Sequence, residues 1–354
     1  MSQYLLIEHV TAVTMNSARE VIYDACIAIQ DERIVEIGLA DDLITRFPDS
    51  ERIDGSGKVA LPGFINNHTH IAMSLQKGIT LVVPDGIYRV MWPVEKNLTP
   101  EDVYIGALAG GAEALKGGST TVLDHYFFAE ETTRATLELG LRGFIGHTIM
   151  SHMGPIIGEA ELEKGIDYVR SWKDKNPLVV PWLAPHAPDT VSKEMLLQLR
   201  QTASDEDVGL HLHVAQSKRE QAYIEEKFGM SCLEYLESID FLGPDVLAAH
   251  CIYIKDSDID ILAKTGTHPI YCPMTHSLIG NPARAWEMLQ RGAGVLIGTD
   301  CVTSNNLIEI TGELRIAGAA QKQMMGNPNV MPSIKILEMV TVDAAHALGF
   351  GDQL

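Results

Sequence analysis

Residues 211–217 read HLHVAQS. Two imidazoles at period-two spacing fall on one face of a β-strand, where a divalent cation can use both. The chain repeats the theme. His68-Thr69-His70, Asp124-His125, His186, His250 and Asp300 each close a short apolar run, and His147 and His152 follow another. Each alone has a plainer reading: His213 as a core histidine bonded to backbone, or Asp300 as a helix N-cap. Brought to one end of one sheet, imidazoles with one carboxylate suit zinc or ferrous iron, with a coordination position left open for water. Three residues past His213, where a carboxyl group would serve proton transfer, the chain has Gln216. An amide donates a hydrogen bond but cannot deliver a proton, and a positioned general acid is worth about 10²–10⁴ in rate.

The elements that must position these residues follow an alternating pattern. Apolar runs at 61–67, 119–124, 142–148, 178–185, 208–214, 246–251, 268–273 and 294–300 read as strands. Helical stretches at 101–116, 131–139, 159–173, 193–203, 217–228, 256–264 and 308–324 lie between or after them, several with acidic first turns. Eight strands alternating with helices predict an α/β fold, a (β/α)8 barrel, in which chemistry belongs at the C-terminal strand ends. An open doubly wound sheet fits less well, because no glycine-rich phosphate turn follows the first strand. Residues 1–58 differ: short β-type runs broken by charged turns predict a small antiparallel sheet. The expected organisation is an N-terminal sheet domain, 1–58, followed by a barrel domain, 59–354.

Composition narrows the partners. The net charge of −20 opposes binding to a nucleic-acid backbone. No apolar run approaches the length of a membrane span, and the N-terminus lacks the basic and apolar regions of a secretory signal. Five widely spaced cysteines (Cys26, Cys232, Cys251, Cys272 and Cys301) suit a reducing cytoplasm. A cytoplasmic protein acting on a small molecule is expected, with neither nucleic acid nor membrane as partner.

The stretches LPGFINNHTH, APHAP, HLHVAQS, AAHC and IGTDCVTSNN, in that order and spacing, resemble the amidohydrolase superfamily, specifically its aminohydrolase and triazine-hydrolase branch. The resemblance implies metal ligation by His68, His70, His213 and Asp300, with His250 beside the attacking water and polarising the substrate. It implies that His186 lines the substrate pocket and that Ser304 lies near the leaving group. Glu95 stands where nucleoside-specific relatives carry a carboxylate for sugar hydroxyls; a surface ion pair is the other reading. Binuclear relatives bridge two metals through a lysine or glutamate at the end of strand four. VVPWLAPH offers neither, so one divalent metal is expected, zinc or ferrous iron. The resemblance also implies an N-terminal β-sandwich half whose C-terminal strands the chain does not reach, and a homo-oligomer, a dimer, covering the partial sheet.

Gln216 departs from the glutamate usual in deaminase relatives. Either the substrate needs only hydrogen-bond polarisation, with His250 and Asp300 moving protons, or His125, His186 or His276 has taken over as acid, or the protein is a catalytically weakened homologue. His276 replaces an expected asparagine after strand seven, and Asp189 replaces an aromatic residue common after strand four. The expected reaction is hydrolytic deamination of an amino-substituted N-heterocycle of purine, pterin, pyrimidine or triazine type. Expulsion of chloride or alkylamine from a triazine is the alternative.

Overall fold

The computed structural model describes residues 4–80, 83 and 86–351. One compact unit runs to Gly63 and a second covers Phe64–Gly351. In the first, β1 (Tyr4–Val13) pairs antiparallel with β2 (Val21–Gln30), and β2 with β3 (Arg33–Leu39). A helix, Ala40–Arg46, then carries the chain back across the sheet, so β4 (Glu51–Asp54) and β5 (Val59–Ala60) join β1 in parallel. The sheet is therefore mixed, where the strand pattern suggested an antiparallel one. The helix supplies the crossover that parallel pairing requires, and it buries Ala40 and Leu43 against Leu6, Cys26 and Ala28.

The second unit is built from β6 (Phe64–Thr69), β7 (Ser119–Tyr126), β8 (Arg142–Ile149), β9 (Val179–Pro185), β10 (Leu210–Val214), β11 (Val246–His250), β12 (His268–Tyr271) and β13 (Leu296–Ile297). They run in parallel in sequence order. Their near-continuous burial is what a parallel sheet covered by helices demands. The expected eighth strand, 294–300, is regular only over two residues. Side chains and a bridge finish the closure instead. The Asp300 N–H donates to the His68 carbonyl at 2.9 Å, and the Thr299 N–H donates to Asn66 Oδ1 at 2.9 Å. Thr69 and Asp300 form a parallel bridge. Gly298 permits this approach, since a Cβ there would stand 2.7 Å from the His68 nitrogen. The result is a nearly closed (β/α)8 barrel.

Helices flank it at Pro100–Lys116, Ala129–Leu139, Glu159–Trp172, Lys193–Glu206, Lys218–Phe228, Asp256–Thr265 and Ile310–Met325. Thr99 opens the first with a reciprocal capping box to Asp102. The first crossover is long. A 3-10 turn at Ile71–Gln76 and short helical turns at Ile87–Met91 and Trp92–Glu95 precede the first flanking helix. Pro273–Leu278 and Val302–Asn305 are further short helices following the seventh and eighth strands. Among the described residues, no helix is long and apolar enough to cross a membrane.

Candidate active site and metal centre

The barrel delivers its imidazoles to one point. His68 lies on β6 and His70 just follows it, His213 lies on β10, and Asp300 follows β13; all four are buried. The Nε2 atoms of His70 and His213 face each other at 3.3 Å. Each ring turns its Nδ1 to a backbone carbonyl, of His125 and of His186 respectively. A carbonyl only accepts, so both Nδ1 atoms carry the proton and both Nε2 atoms present lone pairs. Asp300 Oδ1 lies 3.6 Å from Nε2 of His68 and of His70. His68 Nε2 is buried without a hydrogen-bond partner. Lone pairs that converge with a carboxylate, and a buried nitrogen left unpaired, are the electrostatics of a cation site. The donor atoms of His68, His70 and His213 lie within 4.8 Å of one another, as do those of His68, His250 and Asp300, and the shared His68 makes this one centre.

Surrounding groups hold these side chains in place. His211 Nε2 meets His68 Nδ1 at 2.8 Å, and Ser304 Oγ donates to Asp300 Oδ2 at 3.0 Å. Asp124 Oδ2 accepts from the Ile71 N–H and the Thr69 hydroxyl, fixing the turn that carries His70. Burial would push the Asp300 carboxyl up, but His68, His250 and His70, when protonated, outweigh it and hold it well below the usual carboxylate range. Burial, against the opposing charge of Asp300, lowers His68 to about 3, which keeps the ring neutral as a ligand must be. Asp300 and His250 adopt left-handed backbone, φ 62° and 82°. Such strain at non-glycine residues costs of order 1–3 kcal/mol each and gathers where function requires it.

A cavity of about 430 Å³ opens above this centre. His70, His213, His250 and Asp300 form its floor side; Gln216, His186, Asp189, Glu95, Tyr126 and Trp92 are among its walls. Glu95 is buried there, so the surface ion pair falls away. It accepts from the Tyr126 hydroxyl at 3.0 Å, and burial pushes it up to about 7. A larger hollow, about 740 Å³, lies among Pro244, His268 and Gly294 at the opposite strand ends, away from His68, His70, His213 and Asp300.

The histidines that could replace a lost acid have other duties. His125 receives the Thr148 hydroxyl at Nδ1 (2.9 Å) and turns Nε2 to the Pro185 carbonyl (3.3 Å). Thr190 donates its hydroxyl proton to the Ala187 carbonyl, so His186 Nδ1 must donate to Thr190 Oγ1 at 3.0 Å. Its remaining nitrogen is a bare lone pair, and burial lowers the ring to about 3. His276 is buried outside the cavity wall, with Nε2 3.2 Å from His250 Nδ1. His147 pairs with Glu161 and His152 with Ser151, both away from the centre.

The pattern of the Amidohydrolase family matches residues 59–354. The 5'-deoxyadenosine deaminase of Methanosarcina mazei is 34% identical over 349 residues, covering 98% of this chain and 80% of the relative. The 5-methylthioadenosine/S-adenosylhomocysteine deaminase of Halothermothrix orenii is 35% identical over 352 residues, covering 98% and 81%. A zinc-bound adenosine deaminase structure from Xanthomonas campestris superposes with TM-score 0.92 at 28% identity, covering 98% of this chain and 80% of that one. The chain belongs to the amidohydrolase family.

For an amidohydrolase, most of the centre was visible as His-x-His pairs and strand-end histidines. His211 was visible on its strand but not as the partner of His68, a contact made across the barrel. Gln76 behind Tyr126 was missed because no motif marks it; its Nε2 donates to the tyrosine hydroxyl at 3.0 Å. Glu220 was also missed. It looks like an ordinary first-turn helix acid, yet it accepts the N–H groups of Ala215 (2.7 Å) and Gln216 (2.8 Å) and so fixes the turn after β10.

Proposed function

We propose that this amidohydrolase hydrolytically deaminates an amino-substituted purine nucleoside, and that it binds one zinc ion through His68, His70, His213 and Asp300. The convergence of the His70 and His213 lone pairs on the Asp300 carboxylate at a cavity floor carries the reading. The names of the relatives favour a 6-aminopurine nucleoside such as 5'-deoxyadenosine or 5-methylthioadenosine within the wider aminoheterocycle class. Bound there, a divalent cation brings the pKa of a water down toward about 7, making a nucleophile available at neutral pH.

The protein's own groups do the rest. Asp300 takes a proton from the attacking water; Ser304 occupies Oδ2 and leaves Oδ1 for that task. His250, oriented by His276, hydrogen-bonds the attacking oxygen as charge develops. Gln216 hydrogen-bonds the ring. Asp300 then passes its proton to the amino group, which leaves as ammonia, and the hydroxyl proton of the adduct is balanced by one on the adjacent ring nitrogen as the carbonyl forms at the ring carbon.

Five buried free cysteines support a cytoplasmic setting. Metal analysis of protein purified without chelator, followed by a panel of adenosine derivatives, guanine and s-triazines, tests the reading. Near-stoichiometric zinc and ammonia release from the aminopurines are expected. Absence of bound metal, or release of chloride or alkylamine from triazines alone, would overturn it.

A further inference from the structure

The loop after β9 and the loop after β10 lie side by side, because their strands are neighbours in the barrel. The first carries Asp189 and the second Gln216, and both face the cavity. Asp189 is 3% exposed. Among the described residues, the only hydrogen bond to its carboxyl comes from its own backbone N–H. Tyr88, Arg219, Glu220 and Cys232 are the titratable and charged groups around it. Tyr88 and Cys232 are neutral at pH 7, and Arg219 stacks on the Tyr88 ring, 4.0 Å from its centroid.

The nearby carboxyl is Glu220. Burial, with Asp189 as a like charge, pushes Glu220 up to about 8, and burial pushes Asp189 up to about 6. A buried carboxyl that feels a second one as a like charge favours keeping a proton. Both Glu220 oxygens accept backbone N–H groups of the turn after β10, so Asp189 is the carboxyl of the two that meets the cavity, and burial lifts it toward the range of an acid that can give a proton near neutral pH. Neither His125 nor His186 has a proton free to give the cavity, as their hydrogen bonds show, and His276 lies outside its wall.

We propose that Asp189 is the general acid of this site, delivering from the neighbouring loop the proton that Gln216 cannot. The assignment rests on the deaminase reading above. As water attacks the ring carbon and yields one proton to Asp300, Asp189 protonates the adjacent ring nitrogen. The C–N bond then breaks. The Asp300 proton leaves with ammonia, and the proton of the new hydroxyl returns to Asp189 as the carbonyl forms. The two protons of water are accounted for, one on the ring and one on ammonia. Gln216 orients the ring through its amide.

Turnover of 5'-deoxyadenosine and 5-methylthioadenosine by the zinc-loaded wild type, Asp189→Asn and Asp189→Asn/Gln216→Glu tests this. Asp189→Asn should lower kcat by about 10²–10⁴ with KM and zinc content little changed, and should abolish the fall of kcat on the alkaline side. Adding Gln216→Glu should recover at least about tenfold, since it restores an acid on the neighbouring loop. A kcat for Asp189→Asn within about threefold of wild type, or a double variant no better than the single, would overturn it. Infrared difference spectra, wild type minus Asp189→Asn at pH 5–6, give a readout without turnover: a protonated-carboxyl band is expected, and its absence also overturns the proposal. Should the wild type release ammonia from no nucleoside, the deaminase reading fails, and the band alone decides whether Asp189 holds a proton.

Discussion

Two imidazole lone pairs 3.3 Å apart repel unless positive charge stands beside them, and His70 and His213 are held in that opposition by carbonyls behind each ring. Replacing His213 with alanine removes one donor and the reason for the geometry. The variant should purify with metal well below one equivalent and with no measurable turnover; stoichiometric metal, measured by mass spectrometry of the digested protein, would contradict the ligand set. Glu95 offers a second test at this scale. Its folded-state value, about 7, lies above the ordinary 4.5, so the folded chain binds this proton more tightly than the unfolded one. The associated stability is complete below about pH 4.5 and is lost as pH rises through 7, up to about 3 kcal/mol. Thermal melts at pH 5 and pH 8 should therefore differ less in Glu95→Gln than in wild type. Period-two histidine spacing is a local pattern and was legible in the chain. The bonds of Glu220 to the turn after β10 and the burial of Asp189 in the cavity wall were not, because both depend on how the loops after two neighbouring strands fold.

At the scale of elements, strand ends decide function here. His250 ends β11 and His276 lies on the short helix after β12, so their 3.2 Å contact links two neighbouring barrel units. Loss of an orienting partner of this kind typically costs about 10- to 100-fold in activity. His276→Ala should lower kcat within that range while KM moves little; a change confined to KM would show that His276 serves binding instead. The alternation of apolar runs with amphipathic stretches made eight strands and their main helices legible, with ends displaced by a few residues. The last strand was overestimated. Residues 294–300 are apolar enough for a strand, but only Leu296–Ile297 pair regularly, and the remainder is tied to β6 through Asn66 and Thr299. The first sheet was misjudged as antiparallel because its parallel pairings depend on the Ala40–Arg46 crossover, which hydrophobic patterning does not report.

For the whole molecule, the net charge of −20 sets a background against polyanions and favours the capture of a cation. A metal that binds only the folded form stabilises it by mass action, about 4 kcal/mol at a thousandfold excess over its dissociation constant. Chelator-treated protein should melt several degrees below the metal-loaded form, and added zinc should restore the difference. Equal melting temperatures would mean that the histidine cluster holds no ion. Association of copies can be checked in the same preparations. The sheet of the N-terminal unit ends at β3, where Ile34 is 61% and Val35 46% exposed, an open edge of the kind that pairs with other chains. Sedimentation should show a dimer at micromolar concentration.

The barrel's first and last strands meet at His68 and Asp300, joined there by a backbone hydrogen bond, and both side chains belong to the cluster that could hold a metal ion. Chain closure and ion capture thus share a seam, and an ion bound there acts as a rivet. Withdrawing it should loosen the join before the rest of the cylinder responds, so the Asp300 amide should exchange with deuterium sooner than amides in the middle of β8 or β9.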